Sequence, residues 1–161
     1  MDAPDSVLAY RKALGTFATG VVVVTAEDAA GPLGLTVNSF TSVSLSPPLV
    51  LWCLDDASDR RHVYAGADRF VINVLAAQDR AHSERFAWGA CRLEPADLAR
   101  SETGAPCLAG ALTTFECETR QRIQVGDHLV IVGEVTAWRT GEGDGLVYFR
   151  GRYCRPVPEE E

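Results

Sequence analysis

The chain has 161 residues, 47% hydrophobic and 23% charged, a composition that suits a globular domain able to bury a core without disulfides or metals. Its formal charge of −7, from 15 basic and 22 acidic residues, argues against nonspecific nucleic-acid binding, which depends on phosphate neutralisation. The longest apolar runs, Val21 to Val24 and Leu129 to Val132, are strand-sized and far short of the roughly 20 residues of a membrane span.

One domain over residues 1–161 is expected, with its core between about 8 and 154 and an acidic end, 156–161, that frays. The start, Met1 to Asp5, is acidic and lacks the basic and apolar regions of a secretory signal. Five cysteines (53, 91, 107, 117 and 154) are odd in number and contain no C-x-x-C. They fit a reduced, cytoplasmic compartment and make no metal site.

In chain order, residues 6–18 predict an amphipathic helix: Val7, Leu8, Ala13, Leu14, Phe17 and Ala18 recur at helical spacing, and Asp5 or Ser6 can cap it. Gly20 ends it. Val21 to Thr25 is β-branched and reads as a strand, which Asp28 to Pro32 turns into a second one, Leu33 to Phe40. Pro47 and Pro48 open a strand over Leu49 to Leu54, where prolines are tolerated at the first position. Ser58 to Ala65 reads as a short helix capped by Ser58, Arg69 to Leu75 as a strand and Gln78 to Phe86 as a helix. Residues 88–110 read as irregular. Two long strands, Ala111 to Ile123 and His128 to Arg139, precede a turn at Gly141 to Gly145 and a last strand over Leu146 to Arg155. About seven short-spaced strands with few helices predict an antiparallel sheet closed, or partly closed, into a barrel.

Four segments carry polar groups where chemistry can occur. Gly34 to Ser42 is polar where a buried strand is apolar. Thr36, Asn38 and Thr41 or Ser42 either line a pocket against a heterocycle or form a polar outer face. Asp55 to Arg61 follows a buried strand and opens a helix. Its free N–H groups, the Ser58 hydroxyl and Arg60 or Arg61 suit a phosphate, or the arginines simply pair with the nearby aspartates. His128 follows Gly126-Asp127 at a hairpin, either facing a ligand or solvated; His62 and His82 read as structural. Tyr148 to Tyr153 alternates aromatic and cationic residues, which places rings on one strand face and guanidinium groups on the other. No nucleophile–base pair, G-x-G-x-x-G or P-loop is present. Pocket-lining polar groups with little acid–base machinery point to a cofactor that carries the chemistry, or to a binding module.

Several motifs occur together in a fixed order. They are Phe17-Ala18-Thr19-Gly20-Val21-Val22-Val23-Val24-Thr25, Thr36-Val37-Asn38-Ser39-Phe40-Thr41-Ser42-Val43-Ser44 and Ser46-Pro47-Pro48-Leu49-Val50. Phe70 to Leu75, Arg85-Phe86-Ala87, Gly126-Asp127-His128 and Tyr148 to Tyr153 follow. In this order, over residues 8–154, the chain resembles the short-chain flavin reductases, the small components of two-component flavin monooxygenases.

The resemblance implies a mainly β fold, a six-stranded antiparallel split β-barrel (FMN-binding split barrel) with flanking helices, working as a homodimer. It implies hydride transfer from NADH or NADPH to FMN or FAD, and release of reduced flavin to a partner monooxygenase. Nucleic acid and membrane are not expected partners. Carried onto this sequence, Thr36, Val37, Asn38 and Ser39 run along the isoalloxazine, and Cys53, Leu54 and Asp55 lie beside the ring and ribityl chain. Ser58 and Arg60 meet the phosphate, and Phe86 and Ala87 close the site. His128, the catalytic candidate, and Tyr148, Phe149, Arg150 and Gly151 meet the nicotinamide nucleotide. Two other readings keep the same fold: tightly held FMN serving a dedicated substrate, or flavin or haem binding without catalysis. Residues 87–103 are short and acidic, where the cover usual in relatives is longer, and Trp52 and Trp88 either stack on a ligand or fill core.

Overall fold

The structure, a computed structural model, describes residues 4–159; Met1 to Ala3 of the acidic start, and Glu160 and Glu161 of the acidic end, lie outside the described residues. Helix α1 (Pro4–Leu14) leads into a two-residue strand β1 (Thr19–Gly20). The hairpin β2 (Val22–Asp28) and β3 (Gly31–Val37) follows, then the hairpin β4 (Thr41–Leu45) and β5 (Pro48–Asp55). A single turn α2 (Arg61–Tyr64), strand β6 (Arg69–Val74) and helix α3 (Arg80–Trp88) come next. A small ribbon β7 (Leu98–Arg100) and β8 (Pro106–Leu108) precedes the long hairpin β9 (Thr113–Val125) and β10 (His128–Thr140). The described chain ends in the hairpin β11 (Val147–Phe149) and β12 (Arg152–Cys154).

The fold is mainly β, but the main sheet has seven strands, in the order β3-β2-β6-β9-β10-β5-β4, rather than the expected six. Its edge strands β3 and β4 share no ladder among the described residues, so hydrogen bonds do not close it. The chain itself draws the edges together. Only residues 38–40 separate β3 from β4, a link that reaches about 14 Å at most. Seven flat strands would hold their edges about 29 Å apart. The sheet must therefore curl, and one apolar cluster fills the curl: Val22, Val24, Leu33, Trp52, Leu54, Phe70, Ile72, Cys117 and Ile131 from six strands, with Val63 and Tyr64 of α2. Irregularities between Val132 and Gly133 and between Val135 and Ala137 bend β10 at its centre.

Val21 to Val24 is a continuous apolar run because both of its faces are buried. Val22 and Val24 face the main cluster, whereas Val21 and Val23 pack with Leu75, Phe86, Leu108 and Leu146 in a second one. Asn73 ties the two layers together. Its amide donates to the Val23 carbonyl and to Thr25 Oγ1, both at 2.9 Å, and its oxygen accepts from the Leu108 N–H at 2.8 Å.

Five elements depart from the sequence expectations, two of them local: α2 is a single turn with Arg60 rather than Ser58 at its N-cap, and β4 forms over Thr41–Leu45, past the end expected at Phe40. Helix α1 stops at Leu14 rather than residue 18, and its apolar residues Val7, Leu8, Tyr10 and Leu14 are exposed. The last strand is broken into the β11–β12 hairpin, because Arg150 and Gly151 both take positive φ, 49° and 77°, the conformation of a two-residue turn. Residues 88–110 contain the β7–β8 ribbon and fold back on the sheet: the Gly34 N–H donates to the Cys91 carbonyl, the Leu93 N–H to the Pro32 carbonyl, and Arg92 forks onto Asp28. That fork holds the Asp28 carboxyl down at about 2.

Candidate functional site

Some of the residues expected to meet ligand (Thr36, Val37, Asn38, Ser39, Ala87, Tyr148 and Gly151) line one groove, and Tyr148 stands at its centre. The first reach of the groove encloses about 870 Å³ between the segment after α1 and the β3–β4 link; Phe17, Thr19, Asn38, Ser39, Phe40 and Tyr148 line it. The second, of about 200 Å³, lies between β3, the end of α3 and the last hairpin, against Thr36, Val37, Asn38, Ala87, Trp88 and Tyr148. The third, of about 800 Å³, runs on past Tyr148 and Gly151 to Arg80, Trp88, Arg152 and Tyr153. Tyr148 reaches all three because β1 holds β11 in place, with Thr19 opposite Tyr148 and Gly20 opposite Val147.

The hairpin turn positions the aromatic pair. Tyr148 and Tyr153 are directly opposite one another, and their rings meet edge to face at 5.3 Å. Tyr153 also shares a hydrogen bond with buried Ser83 at 2.8 Å, which fastens the hairpin to α3. Thr36 fastens β3 to the same helix, donating to the Ser83 carbonyl at 2.8 Å. Its hydroxyl is thus occupied within the fold. Ser39 is held by Cys53, accepting from its N–H at 3.0 Å and bonded to its carbonyl at 3.2 Å. Burial, the larger influence, pushes the Cys53 thiol up despite the Ser39 hydroxyl beside it. Asn38, between two locked neighbours, is exposed and makes no side-chain hydrogen bond among the described residues, so its amide is free to meet a ligand.

The remaining candidates lie deeper or farther away. Leu54 and Phe86 have no exposed surface, and they support the groove from the core rather than lining it with side chains. Arg60 is 6% exposed and points inward, its terminal nitrogens donating to the carbonyls of Gly34, Phe86 and Gly89. Those carbonyls belong to β3 and to the C-terminal end of α3, where backbone acceptors lack helical partners. Ser58 accepts from the Arg60 N–H at 3.3 Å at the start of α2. Asp55 lies opposite His128 in the β5–β10 ladder. His128 Nδ1 is 2.7 Å from Asp127 Oδ1, a contact that, first among its causes, lowers the Asp127 carboxyl. His128 lines none of the three reaches around Tyr148. Phe149 is partly exposed beside its neighbour Arg150, and Arg150 with Gly151 faces a fourth hollow against Arg11 and Gly15.

The sequence reading left Trp88 open between stacking on a ligand and filling core, and did not assign Thr19, Arg152 or Tyr153 to the site. The strand alternation of Tyr148 to Tyr153 concealed the last two, since it set aside the turn that brings both tyrosines to one side. Trp52 is core, packed edge to face on Tyr64 and Phe70, whereas Trp88 is 90% exposed.

A flavin fits this groove chemically. The first reach is large enough for a tricyclic ring and offers aromatic walls with polar edges at Asn38, Ser39 and Thr41. Thr19 Oγ1 is buried there without a hydrogen-bond partner. Among the described residues no group of three or more His, Cys, Asp or Glu side chains is placed to hold a metal ion. No helix of the described residues is long and apolar enough to cross a membrane.

Residues 14–156 match the model of the flavin reductase like domain. The chain is 42% identical over 146 residues to the FMN reductase (NADH) SmoA of Agrobacterium fabrum, covering 91% of this chain and 84% of that one. Among solved structures it resembles the Streptomyces globisporus NADH:FAD oxidoreductase SgcE6 in complex with NAD and FAD fragments, with a TM-score of 0.90 and 34% identity over 100% of this chain and 99% of that one. It also resembles the styrene monooxygenase flavin reductase of Pseudomonas putida S12, with a TM-score of 0.85 and 36% identity over 93% and 99% of the two chains. Its sequence and its fold place this chain in the flavin reductase like domain family.

Proposed function

We propose that the chain is an NADH-dependent flavin reductase that reduces FMN or FAD and delivers the reduced flavin to a partner monooxygenase. The observation that carries this reading is the continuous groove through Tyr148, aromatic along its walls and polar at Asn38 and Ser39. When bound, the flavin accepts the hydride of the nicotinamide, a transfer that needs stacked rings at close range and no protein nucleophile.

The chain's own residues bind, orient and shield. Thr36, Val37, Asn38 and Ser39 flank the ring, with Asn38 hydrogen-bonding its polar edge, while Cys53, Leu54 and Asp55 back the ring and its side chain. Ser58 meets the phosphate, and Arg60 sets the loop that carries Ser58. Phe86 and Ala87 form the floor, and Tyr148, Phe149, Arg150 and Gly151 with His128 meet the nicotinamide nucleotide. Exposed Asn38, Trp88 and Arg152 leave the groove open to solvent, which favours a flavin that exchanges over one held permanently. The curled seven-stranded sheet is read as the split barrel of the family. The exposed apolar residues of α1, with Phe17 and Leu45, are read as the interface of a homodimer. A cytoplasmic location is part of the same reading.

The test is anaerobic oxidation of NADH, and of NADPH, by purified protein with and without added FMN or FAD. Oxidation that rises and saturates with added flavin is expected. A yellow protein indifferent to added flavin would overturn the exchange reading and make the flavin a prosthetic group.

A further inference from the structure

The third reach of the groove has a composition at odds with the rest of the molecule. The chain carries a net charge of −7, yet the lining here includes Arg80, Arg85 and Arg152 against a single acid, Glu84. Local charge of that sign attracts an anion. Two of the arginines are committed to the fold: Arg80 pairs with Glu84 at 2.8 Å and lies 5.2 Å over the Tyr153 ring, and Arg85 pairs with Asp97 at 2.5 Å. Arg152 is exposed and makes no ion pair among the described residues, so its guanidinium fork is available.

Trp88 forms the other side. It is the last residue of α3 and is 90% exposed. An indole left in water beside a free guanidinium suits a ligand that is planar at one end and anionic at the other. Trp88 also lines the second reach with Thr36, Val37 and Asn38, and Tyr148 lines both, so this surface continues the flavin and nicotinamide groove.

The geometry points to an adenosine-phosphate subsite in this reach, with Trp88 stacking on the adenine and Arg152 forking onto the adjoining phosphate. Such a group has two possible sources, the adenylate half of the nicotinamide dinucleotide and that of FAD; FMN has none. The inference rests on the reductase reading above, and it adds two binding residues, Trp88 and Arg152, to it.

The experiment uses the full-length protein and the Trp88→Ala and Arg152→Gln variants, with folding checked by circular dichroism. Both positions are exposed, so native spectra are expected. In wild type, 5′-AMP quenches tryptophan fluorescence and competes with NADH in oxidation assays, and the quench disappears in Trp88→Ala. With FMN as acceptor, the KM for NADH rises about tenfold in each variant, the scale of one lost base stack, while the KM for FMN stays within twofold. If the adenylate is that of FAD, the KM for FAD rises instead and that for NADH is unchanged. Either pattern supports the subsite and identifies its source. Wild-type NADH:FMN activity with no 5′-AMP quench and no KM change in either variant overturns the subsite and leaves the reductase reading intact. Wild type without flavin-dependent NADH oxidation overturns the reductase reading, while the 5′-AMP quench still decides the subsite.

Discussion

Replacement of Arg60 separates two roles that the sequence allows for one guanidinium. As a phosphate anchor, Arg60 would be held near the surface and would contribute to flavin affinity. In the structure it is 6% exposed and donates to the carbonyls of Gly34, Phe86 and Gly89. Arg60→Met keeps the stem and removes the donors, leaving acceptors of β3 and of the end of α3 unsatisfied. Breaking a buried, charged hydrogen-bond cluster costs about 3–5 kcal/mol, a large share of the roughly 5–15 kcal/mol that holds a domain folded. At roughly 2–4 °C per kcal/mol, the melting temperature falls by about 6–20 °C. Urea unfolding followed by tryptophan fluorescence measures the loss, and flavin KM well below the melting point measures binding. The expected result is a large stability loss with flavin KM changed less than about threefold. A stability loss under about 1 kcal/mol together with a tenfold rise in flavin KM would refute the carbonyl-clamp argument and restore the anchor.

Three further outcomes are expected. The Asp97 carboxylate is half-enclosed beside α3; burial, its largest influence, favours the neutral acid, but the Arg85 and His82 hydrogen bonds outweigh burial and hold its pKa below 3.8. A depressed carboxylate stabilises above its unfolded value, so urea midpoints should fall as pH drops below about 3.8, and Asp97→Asn should flatten that fall; an equal fall in the variant would refute it. Thr19→Val replaces a buried, unpartnered hydroxyl by a methyl of the same shape, so the ligand-free protein should gain about 1 kcal/mol in thermal unfolding; a loss would show that the hydroxyl has a structural partner. His128→Ala should slow reduction of flavin by NADH about tenfold in anaerobic stopped flow, the scale of one lost positioning contact, and an unchanged rate removes His128 from the reaction.

What was legible in the sequence follows from the range of the interactions that set each feature. Strand identities were readable because β-branching and apolar runs are local: Val21 to Val24, Leu49 to Leu54 and Arg69 to Leu75 fall on strands or their ends. The polar segment Thr36 to Ser39 stood out because its polar residues either line a pocket or form an outer face, and the structure brings it to the groove. The side-chain roles within that segment were not, because they depend on partners far along the chain. Thr36 turns to Ser83 and Ser39 to Cys53, so the one amide left free is that of Asn38, and only the assembled fold shows which hydroxyls are occupied. The arginine of Asp59-Arg60 has the same history: a cation after a strand suggests phosphate locally, but the carbonyls that capture it come from Gly34, Phe86 and Gly89. The way the sheet closes was not legible for a different reason. Pattern alone lists strands without saying which two are edges, and here the edges are sequence neighbours, β3 and β4, joined by residues 38–40. That short link curls the sheet, and the residues it exposes at the seam, Asn38 and Ser39, open onto the groove. The covalent link therefore draws together two edges that hydrogen bonds leave unpaired, and the groove through Asn38 and Tyr148 begins at that break in the ladder.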